Sequence, residues 1–460
     1  MSEMIEVPKG WIKVYLSDIG QIVSGGTPST TISEYWNNEV NWISPADLSG
    51  YKKKVISKGA KSISRIGLLK SSAKLIPAGS VLFSSRAPIG YVAIAGSELC
   101  TNQGFKSVVP YRGIFNEYLY YFLLSAKQQA DDLASGTTFR EISLSSIRKM
   151  TLLLPPSPEQ YRIVAKIEEL FSSLDKGIEI LKTAQAQLKI YRQAVLKWAF
   201  EGKLTNDDVK EGELPKGWIT KRLSEISEKV QIGPFGSQLH KEDYIENGVP
   251  LINPMHIKDG KIIPDYSYSI LEKKKNSLPN YILHTGDIVL GRRGEMGRCG
   301  LVSQKENGWF CGTGSLYIRP IKTKIDSKYL YMILCSTEVK KYLQENAAGT
   351  TMSNLNSKII NQMPLSFPPL SEQQSIVSEI ESRLSVCDKL EESINQSLMQ
   401  AEALRQSILK KAFEGKLVPQ DPNDESASVL LERIRAEREA AVAKNATAEA
   451  MKPGRRTRTH

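Results

Sequence analysis

Thirteen residues, Arg192 to Leu204 (RQAVLKWAFEGKL), return as Arg405 to Leu417 (RQSILKKAFEGKL), an offset of 405 − 192 = 213. At the same offset Ser135 to Ile167 (SGTTFREISLSSIRKMTLLLPPSPEQYRIVAKI) faces Ala348 to Ile380 (AGTTMSNLNSKIINQMPLSFPPLSEQQSIVSEI), sharing Gly-Thr-Thr, Pro-Pro and Glu-Gln. Toward the beginning the offset slips to 207, where PKGWIKVYLSDIG from Pro8 faces PKGWITKRLSEIS from Pro215. Such a period is far above the ~20 to 50 residues of solenoids and propellers, so each copy is domain-sized. The chain is a tandem duplication, and whatever it folds into is built twice.

Each copy has two unlike parts. The first reads as short strands broken by Gly, Ser and Pro, as in IPAGSVLFSSRAPIGYVAIAG and LHTGDIVLGRRGEMGRCGLV, interrupted by a helical patch, NEYLYYFLLSAKQQADDLA. The second begins after LPPSPEQ, where Ser157-Pro158-Glu159 offers an N-cap with proline at the first helical position. Ile167, Leu174, Leu181, Leu188 and Val195 then stand seven apart, with Ile163, Leu170, Tyr191 and Trp198 at the companion position. Ile380, Cys387, Ile394, Ala401 and Ile408 repeat the step in the second copy, joined by Ile376, Leu390 and Leu404. Seven is the coiled-coil period, and a helix from Pro158 to Phe200 would span roughly 65 Å. Paired about a pseudo-twofold axis, the helices run antiparallel; the alternative is two separate helices, each packed on its own domain.

The predicted fold is α+β: two tandem mixed α/β globules separated by two long helices in an antiparallel coiled coil, with a pseudo-twofold internal repeat. The boundaries read as a first globule at 1–154, a first long helix at 155–204, a second globule at 205–367, a second long helix at 368–417, and a C-terminal helix and basic tail at 418–460. In that last segment SASVLLERIRAEREAAVAKNATAEA has an apolar face of Leu430, Leu431 and Ile434, suited to packing beside the first globule.

Composition narrows the setting. Apolar content of 41% and charged content of 24% are those of a globular chain. Five cysteines without CxxC spacing indicate neither a disulfide framework nor a zinc site, which favours a reducing cytoplasm. No run approaches the ~18 apolar residues of a membrane span, and MSEMIEVPKGW lacks the regions of a signal peptide. A balance of 61 basic against 50 acidic residues, net +11, suits a polyanionic partner.

The frame is shared between copies while the loops diverge: GGTPSTTISEYWNNEVNWISPADLSGYKKKV stands against QIGPFGSQLHKEDYIENGVPLINPMHIKDGKI. That contrast suggests two related ligands read by different side chains. The order of variable globule, Pro-Pro-x-x-Glu-Gln entry into a long helix, RQAVLKWAFEGKL exit, second globule, and PPLSEQQSIVSEI through RQSILKKAFEGKLVPQ resembles the DNA-specificity subunits of type I restriction-modification systems, over Pro8 to about Arg438. The resemblance implies a non-catalytic subunit without cofactor or metal, whose two target-recognition domains each read one half of a split, double-stranded DNA sequence. The helices would set the gap and dock two methyltransferase (modification) subunits, with restriction/translocase subunits adding to that core. Target-recognition domains vary within the family, so base-reading residues do not carry over by position.

Candidates for DNA contact therefore rest on side-chain chemistry. Arg86 in SSRAPIG faces Arg293 in GRRGEMG at the offset of 207, each in a turn between apolar strands, with Arg292 an additional cation in the second copy. A guanidinium on a rigid hairpin binds a phosphate or pairs bidentately with guanine; a surface salt bridge is the alternative. Lys52, Lys53 and Lys54 form a run suited to a phosphate backbone or to a solvated loop. Thr137, Thr138 and Arg140, matched by Thr350, Thr351 and Asn354, follow a Gly turn and would contact DNA or cap the next helix. Ile167, Leu174, Leu181, Leu188, Val195, Ile380, Ile394 and Ile408 are the candidate helix-pairing residues.

A self-contained DNA-modifying or cleaving enzyme is the alternative class. Asn253 to His256 (NPMH) resembles an amino-methyltransferase motif but lacks its second proline and aromatic, and no Gly-rich cofactor turn accompanies it. Pro264-Asp265 with Glu272-Lys273-Lys274 fits a loose metal-dependent nuclease pattern that the first copy lacks. The four histidines show no metal-binding spacing.

Overall fold

The computed structural model describes residues 7–136, 140–206, 208–210, 212–258, 260–292, 297–347 and 355–450. It divides into two compact units, Met1–Ile180 with Ser397–His460, and Leu181–Gln396. The two long helices are Ser157–Phe200 and Leu370–Phe413, each of 44 residues, and each contributes one stretch to either unit.

Both helices are bounded by the residues that the two copies share. Pro155-Pro156 and Pro368-Pro369 end the preceding strands, since proline cannot donate to a ladder but suits a helix start. At the far end the amide of Gly202 donates to Ala199 O (3.3 Å) and that of Lys203 to Trp198 O (2.9 Å). Gly415 to Ala412 O (3.3 Å) and Lys416 to Lys411 O (2.8 Å) repeat this reversal. Gly202 has φ +76° and Gly415 φ +71°, and a Cβ there would run into Pro215 or Pro8, respectively. The AFEGKL motif is thus a helix stop, which needs glycine for the left-handed turn and for the close approach of a Pro-Lys-Gly-Trp corner.

The helices pair antiparallel. In the first unit Arg405 binds Asp175 and stacks on Phe171, 4.5 Å from the ring centroid. In the second, Gln185 reaches Asn395 (3.1 Å) and Arg192 binds Asp388 (2.7 Å) and Glu391 (3.0 Å). Partner numbers fall along one helix as they rise along the other. Ile167, Val195, Ile380 and Ile408 are buried, and Leu174, Leu181, Leu188 and Ile394 half-buried, so the seven-residue seam lies along the contact. The companion position behaves differently: Ile163 and Ile376 are buried in the globule cores, whereas Tyr191, Trp198, Leu390 and Leu404 are exposed. Two helices alone cover only a narrow strip of each other, and the second position is shielded only where a globule adds a third surface.

In the first unit a five-stranded sheet runs in the order Gly20–Ser24, Lys106–Pro110, Val81–Ser85, Ile89–Ala95, Val55–Ile56, antiparallel except for the last pair. A separate three-stranded sheet runs in the order Lys61–Ile63, Val40–Ile43, Cys100–Thr101, the first pair antiparallel and the second parallel. Ile12–Tyr15 pairs with Thr151–Leu154, tying the entry of the globule to its exit. The C-terminal helix Ala427–Ala450 completes this core with Leu430, Leu431 and Ile434, and the Ala427 amide donates to Gly10 O (2.9 Å).

The second unit repeats the frame. Ile219–Arg222 pairs with Pro364–Phe367, and Ser227–Ile232, Ser315–Pro320, Ile288–Gly291 and Cys299–Leu301 form an antiparallel sheet. A second four-stranded sheet holds Tyr244–Ile245, Ser269–Ile270, Val249–Ile252 and Phe310–Cys311.

Candidate nucleic-acid interface

The globules are fixed to their helices by one joint, made twice. Trp11 Nε1 donates to Glu159 Oε2 (2.9 Å), and Trp218 Nε1 to Glu372 Oε1 (3.2 Å). Gln160 Oε1 accepts from the Phe115 amide (2.8 Å) at the start of the helix Asn116–Ser125, while its Nε2 donates to Pro155 O (3.3 Å). Gln373 does the same with the Asp326 amide (2.8 Å), before the helix Ser327–Leu334, and with Pro368 O (2.8 Å). Glu159, Gln160 and Gln373 are buried, and burial pushes the Glu159 carboxyl above the ordinary value. Phe413 packs against Tyr118 (5.3 Å) and Phe122 (5.6 Å) in the first unit, and Phe200 against Tyr329 (5.7 Å) in the second. Each copy's helix end therefore docks on the globule of the other copy.

Away from the joint the first globule presents a cleft of about 640 Å³ lined by Arg86, Ala87, Pro88, Lys127, Arg140 and Glu141 among others. Arg86 follows the strand Val81–Ser85, and the Ala87–Pro88 peptide after it is cis. Its guanidinium lies 3.3 Å from Glu141, which the buried Lys106 ammonium also approaches at 3.4 Å. Arg140 donates to Asp131 O (2.5 Å) from the opposite wall. Arg86 and Arg140, far apart in sequence, thus meet in one cleft, and Lys127 joins them. Two cations sharing one carboxylate leave positive charge for an incoming anion.

The lysine run divides. Lys52 and Lys53 are exposed, whereas Lys54 is held by Glu117 (2.9 Å) and Glu168 (2.5 Å). Burial works against its charge, yet those carboxylates raise its pKa above the lysine value. Arg292 is buried, its Nε donating to Leu355 O (3.3 Å) and its amide to Gly314 O (3.1 Å). Its cation is thus turned into the globule. Thr137, Thr138, Arg293, Thr350, Thr351 and Asn354 lie outside the described residues.

A second cleft of the first globule, about 410 Å³, is lined by Thr30, Trp36, Asn37, Asn38, Lys61 and Ser62. Lys61 sits over the Trp36 ring (5.8 Å), and Trp36 meets Trp42 edge to face. Amides, hydroxyls, a cation and an indole in one concavity are the groups that read base edges. Thr30, Trp36, Asn37 and Asn38 lie in the divergent loop GGTPSTTISEYWNN, whose divergence could have found them, whereas Lys61, Ser62 and Lys127 lie outside it and carry no such signal.

Asn253 Oδ1 accepts from the Gly314 amide (3.1 Å), and buried His256 donates through Nδ1 to Leu251 O (2.8 Å), its pKa lowered by desolvation. Asp265 is occupied by the amide and hydroxyl of Ser267, and Lys274 by Asp243 (2.9 Å). These motifs brace loops. Among the described residues no helix is long and apolar enough to cross a membrane.

The family model described as "Type I restriction modification DNA specificity domain" matches twice, over residues 8–189 and 215–400. The chain belongs to that family of specificity subunits. It is 30% identical over 428 residues to the type I restriction enzyme MjaIX specificity subunit of Methanocaldococcus jannaschii, covering 90% of this chain and 94% of that one. To the EcoKI specificity subunit of Escherichia coli K12 it is 25% identical, covering 96% and 98%. The crystal structure of the HsdS subunit from Thermoanaerobacter tengcongensis shares the fold, with a TM-score of 0.61 at 20% identity over 90% of this chain and all of that one. A structure from a study of type I restriction-modification assembly does likewise, with a TM-score of 0.67 at 21% identity over 89% and 99%.

Proposed function

We propose that the chain is a non-catalytic subunit that reads a bipartite, asymmetric double-stranded DNA target, one half per globule. The observation that carries this reading is a joint repeated to the hydrogen bond in both copies, beneath loops whose sequences diverge. Two modules of modest discrimination, at about 1 to 3 kcal/mol per base pair read, together reach the selectivity that one lacks. Arg86, Arg140 and Lys127 supply cations for the first half-site, with Trp36, Asn37 and Asn38 of the other cleft as base readers. Lys52 and Lys53 suit the phosphate backbone.

The helices set the spacer between half-sites and dock two methyltransferase subunits, to which restriction/translocase subunits add. Exposed apolar side chains support that docking: Tyr191, Trp198, Val386 and Leu390 in the second unit, and Met399 and Leu404 in the first. Apolar residues left uncovered on a helix pair mark a further helical partner.

The test is base-resolved adenine methylation in a host carrying this gene and its methyltransferase, compared with the deletion and with Arg86→Ala. The expected result is a split motif whose methylation vanishes on deletion and whose first half alone relaxes with Arg86→Ala. If no split motif changes on deletion, the globules read something other than DNA.

A further inference from the structure

The second globule contains a pair of thiols that the function above does not use. Cys299 opens the strand Cys299–Leu301, and Cys335 closes the helix Ser327–Leu334. Their sulfurs are 2.9 Å apart and not bonded to each other. A disulfide needs about 2.05 Å, so less than roughly an ångström of approach separates the dithiol from the bond. Among the described residues this is the one pair of cysteine sulfurs in hydrogen-bonding contact; Cys100 and Cys311 face backbone carbonyls.

The first globule shows what the place requires structurally. Val92, paired with Phe83, corresponds to Cys299, paired with Leu290, at the offset of 207. Leu124 occupies the place of Cys335, counting from Tyr118 and Tyr329 in the two equivalent helices. Both Val92 and Leu124 pack against the first core. Hydrocarbon suffices there, and the second copy has instead two reactive sulfurs.

The two sulfurs are not equivalent. Cys299 is buried, while Cys335 is half-buried at a helix end, with Lys340 and the Tyr331 hydroxyl near it. The two thiols share a hydrogen bond, and this bond lowers the Cys335 pKa while raising that of Cys299. Cys335 is the accessible nucleophile and Cys299 the resolving group.

We propose that Cys299 and Cys335 form an oxidant-responsive modification site, converted by a peroxide into an intramolecular disulfide. The Cys335 thiolate attacks one peroxide oxygen, the O–O bond breaks, and a sulfenic acid forms with release of hydroxide. The Cys299 sulfur then attacks the sulfenic sulfur, the S–O bond breaks, and the departing hydroxide leaves as water with the thiol proton. Two thiols and hydrogen peroxide become one disulfide and two waters, a two-electron oxidation. The bond would tie the strand after residues 293–296 to the helix end at Cys335. This chemistry is independent of what the globule reads.

The test uses the purified, fully reduced chain, challenged with hydrogen peroxide, alkylated, and mapped by mass spectrometry without reduction. The expected product is a Cys299–Cys335 linked peptide, two hydrogens lighter than the sum of its parts and restored by dithiothreitol. It should form at least about tenfold faster than any oxidation of Cys100, Cys311 or Cys387. Cys299→Val, which installs the first copy's residue, should send Cys335 on to the sulfinic acid. Peptides in which both thiols are alkylated after the challenge, or in which Cys335 of the wild type is over-oxidised beside an alkylated Cys299, overturn the proposal.

Discussion

In the first unit Trp11 and Gln160 secure the globule to its helix, and in the second Trp218 and Gln373 do so with the same atoms at nearly the same distances. Farther out the equivalence ends. In the second globule Arg319 holds Asp287 in a two-pronged, largely buried pair of 2.8 and 2.7 Å, where the first globule has Val109 and Ser80. Identity persists where a backbone must be held against a helix, because buried amides and carbonyls admit few substitutes. It lapses beyond the joint, in the sheets and loops of the globules.

The sharpest way to break this comparison is to remove the shared amide. Gln160→Leu and Gln373→Leu each strand a buried N–H and a buried carbonyl, and each is expected to cost about 3 kcal/mol in denaturant unfolding. Costs differing by more than about 1 kcal/mol would show that the joints are alike only in geometry. Gly202→Ala and Gly415→Ala come next, at about 2 kcal/mol each, since alanine must adopt a left-handed φ and displace a proline ring. Thermal unfolding should show the two losses to be equal.

The smallest effect separates the joints. Glu159, whose pKa is raised by burial, contributes stability that is present below the unfolded pKa and lost as pH rises through the folded one. Glu159→Gln keeps an acceptor for Trp11, so relative to wild type it should gain about 1 kcal/mol at neutral pH and nothing near pH 3. Glu372 Oε1 accepts from Thr205, Asn206 and Trp218 at 2.9, 3.0 and 3.2 Å, and Glu372→Gln, which replaces a charged acceptor by a neutral one, should lose about 1 kcal/mol. Unfolding curves from pH 3 to 8 sharpen the comparison if the signs are opposite and break it if they agree.

The duplication, the long helices and their seven-residue seam were legible because periodicity is written in residue order. The partners of Glu159 and Gln160 were not: the Glu-Gln and Pro-Lys-Gly-Trp repeats were visible, but their meeting is a tertiary event. Tyr191 and Leu390 fit the companion position by number and lie exposed, since spacing alone does not say how much surface a partner covers. Charge was the least informative signal. Arg86 and Lys54 look alike as surface cations, yet one lines a cleft and the other is held between two carboxylates contributed by distant residues.

The crossing of helix ends also orders events on the ribosome. The contacts of the second unit are complete once residue 396 has emerged, whereas the first core awaits Ile408, Leu409, Ala412, Leu430, Leu431 and Ile434. The earlier-made globule is thus the later one to close, and until residue 434 has emerged it carries an apolar scar where Phe413 and the helix from Ala427 belong. A messenger cut short after residue 396 would release a chain with one finished core and one sticky, unfinished one, a product for the quality-control machinery of the cell.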